Sequence, residues 1–151
     1  MKTTEKYGKK ADLALSMWVK LARSADTFAR LTAKDIDRYR LTVPQFGVIE
    51  TLGHLGPMKI GEMCSKRLST GGNMTVVVDN LVREGYVERV QDKADRRAYV
   101  VRLTKKGEAK FTEMFPAHAK CVEELASVLT EDELNQLSVL LKKLGLALKN
   151  K

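Results

Sequence analysis

The 151 residues suffice for one domain with its own core and leave little length for a second. Apolar residues make up 44% and charged residues 30%, no apolar run approaches the ~18 residues of a membrane-spanning helix, and no apolar signal core follows Met1, so a soluble cytoplasmic chain is expected. The net charge of +8 is unevenly placed: residues 1–40 carry +5, 41–82 balance, 83–110 carry +4 and 111–151 carry −1, a distribution suited to a polyanionic partner.

From about Ala11 to Ile36 the sequence reads as one long helix, with Leu13, Met17, Leu21 and Phe28 at near-helical spacing and Val19, Ala22 and Ala25 alongside. So broad an apolar surface, with Trp18 beside it, suggests burial against a second chain as well as its own domain. Packing wholly within one chain is the alternative. Thr42-Val43-Pro44-Gln45 is a helix start: Thr42 caps, Gln45 completes a capping box, and Pro44 is tolerated in the first turn. Phe46, Val48, Ile49 and Leu52 form its stripe, and Gly53, Gly56 and Pro57 end it. A short third helix runs from Lys59 to about Leu68, with Ile60, Met63 and Cys64 at core spacing. The next helix opens at Ser69-Thr70-Gly71-Gly72-Asn73; Met74, Val77, Val78, Leu81 and Val82 are its buried stripe, and Gly85 closes it.

Two short helices across a tight break make a helix-turn-helix, whose second helix enters the major groove. After Gly85 the period falls to two. Val87–Val90 and Tyr99–Leu103 read as strands around the polar turn Gln91-Asp92-Lys93-Ala94-Asp95-Arg96-Arg97, a hairpin in the place of a wing. A very short strand near Pro57-Met58 fits the same pattern. Thr104 starts a long helix to about Leu129, with Pro116 a candidate bend, and Thr130-Glu131-Asp132-Glu133 caps a last helix carrying Leu134, Leu137, Leu140, Leu141, Leu144 and Leu148. The expected class is mainly α with a small β-hairpin.

On the fourth helix, Ser69, Thr70, Gly72, Asn73 and Val76 fall opposite the buried stripe. An Asn amide can bond an adenine edge bidentately, and a Val can pack on a thymine methyl. Ser69 and Thr70 serve equally as helix caps or as DNA contacts. At the hairpin tip, Arg96 and Arg97 suit a narrow minor groove, and Asp95 suits bracing an arginine as a bidentate pair. Lys93, Lys105 and Lys106 are candidate phosphate contacts, as are Lys66 and Arg67. A solvated charged turn is the plainer alternative for the tip. The pairs Cys64/Cys121 and His54/His118 match no metal-ligand or triad spacing and no Gly-rich phosphate loop is present, so neither catalysis nor a cofactor is expected.

Leu41-Thr42-Val43-Pro44-Gln45-Phe46, the run Ser69 to Gly85, and above all Asp95-Arg96-Arg97 followed by Leu103-Thr104-Lys105-Lys106-Gly107 resemble the MarR family of regulators. The order of elements matches over nearly the whole chain. The resemblance implies a single domain over 1–151. Within it, a winged helix-turn-helix lobe spans about 42–103, and dimerisation helices span about 11–36 and 105–149. It implies a homodimer on a pseudo-palindromic double-stranded operator, usually repressing, with Asp95 and Arg97 as the wing pair and Ser69 to Val76 as the groove-reading segment. It also implies a small-molecule inducer, an aromatic or lipophilic acid bound between the helices and the lobe, for which Trp18, Phe28, Phe46, His54 and Phe111 are candidate lining residues. Regulators that sense oxidants through a first-helix cysteine are a poorer match, because that helix has none here. An architectural DNA binder of low sequence preference is the alternative function.

Overall fold

A computed structural model describes residues 6–67, 71–92 and 98–148. The described residues form helices α1 (Lys9–Asp37), α2 (Val43–Leu55), α3 (Ile60–Arg67) and α4 (Gly71–Arg83), strands β1 (Val87–Gln91) and β2 (Tyr99–Leu103), and helices α5 (Lys105–Ala126) and α6 (Glu131–Leu148). The mainly helical class with one hairpin is as the sequence implies. Helix ends shift by a few residues only; α5 stops at Ala126 rather than near Leu129 and runs through Pro116.

The chain falls into two units, Met1–His118 and Ala119–Lys151. In the first, the core joins Phe46, Val48, Ile49 and Leu52 of α2 with Met63 of α3, Met74, Val77, Val78 and Leu81 of α4, Val87 and Val101 of the hairpin, and Met114 of α5. Ile60 and Cys64 pack against this core only partly buried. Val82 departs from the expected stripe and is 37% exposed. In 100° steps it lies at the edge of the arc centred on Val77, Val78 and Leu81, where the chain is already leaving the core. In the second unit, Thr130 caps α6 reciprocally: its N–H donates to Glu133 Oε2 at 2.9 Å and its Oγ1 accepts from the Glu133 N–H at 3.3 Å. No residue of α6 is buried.

The start of α2 is fixed as its sequence implies. Thr42 Oγ1 accepts from the Gln45 N–H at 3.3 Å, and the Thr42 N–H donates to Gln45 Oε1 at 2.9 Å. Gln45 Nε2 then donates to Glu84 Oε1 at 3.0 Å, which ties this cap to the end of α4. Thr42→Ala is expected to cost about 1 kcal/mol, read as a lower urea midpoint at unchanged slope.

The hairpin pairs Val87 with Leu103 through Gln91 with Tyr99. Met58 and Val101 exchange backbone hydrogen bonds of 3.1 and 2.9 Å, the short strand expected near Pro57. Gly85, with φ of 76°, makes the left-handed turn out of α4 that other residues adopt only with strain. Thr104 Oγ1 donates to Gly85 O at 2.7 Å and accepts from the Gly107 N–H at 3.1 Å, so one hydroxyl joins the end of α4 to the start of α5.

Candidate nucleic-acid interface

Helix α4 turns Met74, Val77, Val78 and Leu81 inward, and all four are buried. Its other face is therefore free of the core. Asn73 and Val76 lie there, exposed, Val76 by 57%. Among the described residues nothing hydrogen-bonds the Asn73 amide, which leaves its donors and acceptor available for a base edge. An apolar side chain this open, midway along the helix and facing away from the core, adds little to the packing of the fold. Ser69 and Thr70, also expected at this face, lie outside the described residues.

The hairpin stands beside this helix. Its described part closes with the Asp92 N–H donating to Ala98 O at 2.9 Å. Lys93, Asp95, Arg96 and Arg97 fall between those two residues and lie outside the described residues. Two features near the hairpin are not singled out by the sequence. Tyr99, at the strand end next to the tip, is 57% exposed. Asp79 lies on the outward face of α4, where its Oδ1 accepts from Arg89 Nη2 of β1 at 2.6 Å. Alternation along β1 puts Arg89 on the face of the buried Val87, opposite Val101, but no local pattern marks Asp79 as its partner.

Of the lysines offered as phosphate contacts, Lys105 and Lys66 are exposed. Lys106 is otherwise engaged. Its Nζ donates to Glu84 O at 2.7 Å and lies 4.5 Å from the centre of the Tyr86 ring. A cation at the C-terminal end of α4 satisfies a terminal carbonyl and the negative end of the helix dipole. Lys106 thus ties the start of α5 to the end of α4 while its side chain stays exposed.

Away from this face, α2 and α5 meet through rings. His54 lies edge-on to Phe111 and Phe115, at 5.1 and 4.3 Å between centroids, and Phe111 stacks on Phe115 at 5.3 Å. Of the residues offered as ligand-lining, Phe46 is buried in the core against His118, while Trp18 is 60% exposed. His118 Nδ1 lies 2.9 Å from Asp35 Oδ2, a buried pair joining α5 to the end of α1.

The comparisons with known proteins agree with this geometry. The model of the MarR family matches residues 41–99, the stretch from two residues before α2 to the first residue of β2. The chain is 34% identical over 133 residues to the HTH-type transcriptional regulator YkoM of Bacillus subtilis, covering 88% of this chain and 86% of that one. Among solved structures, AbsC, a MarR family transcriptional regulator from Streptomyces coelicolor, superposes with a TM-score of 0.85 over 97% of this chain and 99% of its own, at 16% identity. A cysteine-to-serine variant of MarR from E. coli, complexed with operator DNA, superposes with a TM-score of 0.77 at 25% identity, over 88% of this chain and 96% of that one.

Proposed function

Because this chain belongs to the MarR family of DNA-binding transcriptional regulators, we propose that it is a homodimeric repressor that binds a pseudo-palindromic operator and releases it to a small aromatic or lipophilic ligand. The observation that carries the DNA-reading part is the outward face of α4, where Asn73 and Val76 are exposed and the Asn73 amide has no partner among the described residues. Asn73 and Val76, with Ser69 and Thr70, read base edges in the major groove. Arg96 and Arg97, braced by Asp95, enter the neighbouring minor groove, and Lys93 meets a phosphate.

The homodimer is supported by apolar surface that one chain leaves uncovered. On α1, Leu13, Met17 and Trp18 are exposed; on α6, Leu137, Val139, Leu140 and Leu148 are. These faces, on the helices of about 11–36 and 105–149, are the dimerisation surface. The winged lobe is about 42–103. Two-fold symmetry then sets the half-site centres about one helical turn apart. Among the described residues no helix is long and apolar enough to cross a membrane, and the reading carries with it a cytoplasmic location.

Fluorescence anisotropy against the chain's own upstream DNA and a scrambled duplex, at two salt concentrations, tests the proposal. A preference of about a thousandfold for the upstream DNA is the expected result. Equal and steeply salt-dependent binding to both, followed by failure to enrich any sequence from random duplexes, would leave an architectural binder instead. Two substitutions then assign the contacts. Arg97→Ala is expected to weaken operator binding by about 2 kcal/mol, and unchanged affinity would remove the wing from the interface. Asn73→Ala is expected to relax base preference at one operator position, seen by competition with singly substituted duplexes; a uniform loss would make it a positioning contact.

A further inference from the structure

A carboxylate on the face of a helix offered to DNA opposes binding through phosphate repulsion. Asp79 is such a group. It lies three residues beyond Val76, and the inward positions around it are taken by Val77, Val78 and Leu81. Its carboxylate is committed to Arg89 at 2.6 Å. Arg89 pairs in register with Val101, the fully buried residue whose backbone is also bonded to Met58, so the arginine leaves the hairpin where the hairpin is anchored to the core. A second tie holds the same strand further out. Asp92 Oδ2 accepts from Lys59 Nζ at 2.9 Å, just before α3 begins. The arm leading to the tip is thus held to α4 at Arg89 and to the entry of α3 at Asp92.

The geometry points to Asp79 and Arg89 as a positioning pair that fixes the wing relative to the groove-reading helix. Both side chains are part-exposed, 48% and 34%, so the pair contributes little to folding. Its effect is directional. Major-groove contacts by α4 and minor-groove contacts by the tip must be met together, and presetting their relative placement removes an ordering cost that each binding event would otherwise carry. The inference rests on the DNA-reading proposal and goes beyond it, because it assigns operator affinity to a pair of which one member repels DNA.

That sign supplies the test. The probe is a duplex enriched from a random library by the wild-type chain, with a scrambled duplex beside it. If Asp79 acted through its charge alone, Asp79→Asn would tighten binding to both. As a positioning residue, its loss is expected to weaken operator binding about fivefold, with scrambled-duplex binding unchanged or tighter. Hydroxyl-radical footprinting is expected to show protection lost at the wing's outer positions and retained under α4. Arg89→Gln should reproduce that footprint. The exchange Asp79→Arg with Arg89→Asp, which leaves net charge unchanged, should recover affinity to within about twofold. Operator binding by Asp79→Asn that equals or exceeds wild type would overturn the inference, as would an exchange no better than the single variants. A wild-type chain that enriches no sequence would overturn the DNA-reading proposal with it, so the two failures are distinguishable.

Discussion

Gly107→Ala is expected to destabilise the protein by about 3 kcal/mol, although helix propensity alone would make the same change stabilising by about 1 kcal/mol. Gly107 is the third residue of α5 and is buried. A Cβ built there would lie 2.0 Å from the carbonyl oxygen of Tyr86. The obstacle is backbone, and it is held: the Tyr86 N–H donates to Leu81 O at 2.9 Å, and its carbonyl accepts from the Thr104 N–H at 3.0 Å. Relief requires α5 to lift from the end of α4, which strains the Thr104 hydroxyl that joins Gly85 to Gly107. A loss of this size in a chain of this length lowers Tm by about 6–12 °C. Gly107→Val should cost at least as much, because the clash is already met at Cβ. Gly61→Ala is the control, since nothing lies within 4 Å of its built Cβ. A Gly107→Ala protein melting at or above wild type would mean that α5 docks more loosely than the contact implies.

Asp35→Ala is expected to cost about 3 kcal/mol. An acid in the last turn of a helix faces the negative end of the helix dipole and gains nothing from its position. Asp35 is nonetheless among the few buried polar residues, with its side chain 4% exposed. It is held there by His118 of α5 at 2.9 Å and by the Arg38 guanidinium. Removing the carboxylate leaves a buried imidazole without its partner, packed 4.5 Å from the Phe46 ring. Asp35→Asn keeps an acceptor oxygen in the same shape and is expected to lose only about 1 kcal/mol. Urea titration separates the cases: the alanine midpoint should fall well below the asparagine midpoint at equal slopes. Equal, small losses in both would show that the pair stabilises no more than the packing around it.

These two positions also mark where sequence reading stops. Local pattern sufficed for whatever is locally encoded. The reciprocal caps at Thr42 and Thr130 set helix starts, the change of period after Gly85 set the hairpin, and the stripe of Met74, Val77, Val78 and Leu81 set which side of α4 faces outward. Asn73 and Val76 follow from that stripe by subtraction. What stayed hidden depends on residues distant in the chain. Asp35 and His118 are 83 positions apart, and nothing in either neighbourhood names the other. Lys106 reads as one more cation in a basic stretch until Glu84 and Tyr86 are seen beside it. Asp79 reads as a solubilising acid until β1 brings Arg89 across. Gly107 sits in a motif whose resemblance gives its place but not its reason, which is the Tyr86 carbonyl.

Helix α6, with no residue buried in the single chain, bears on how such a regulator responds to its own abundance. If its leucines are covered only on pairing, as proposed, folding and assembly are one equilibrium and the melting midpoint rises with protomer concentration. Operator occupancy then follows roughly the square of the amount synthesised while free protomers predominate. A small drop in expression would empty the operator more sharply than in proportion. Dilution by growth that outpaces synthesis would act on the promoter as a signal in its own right.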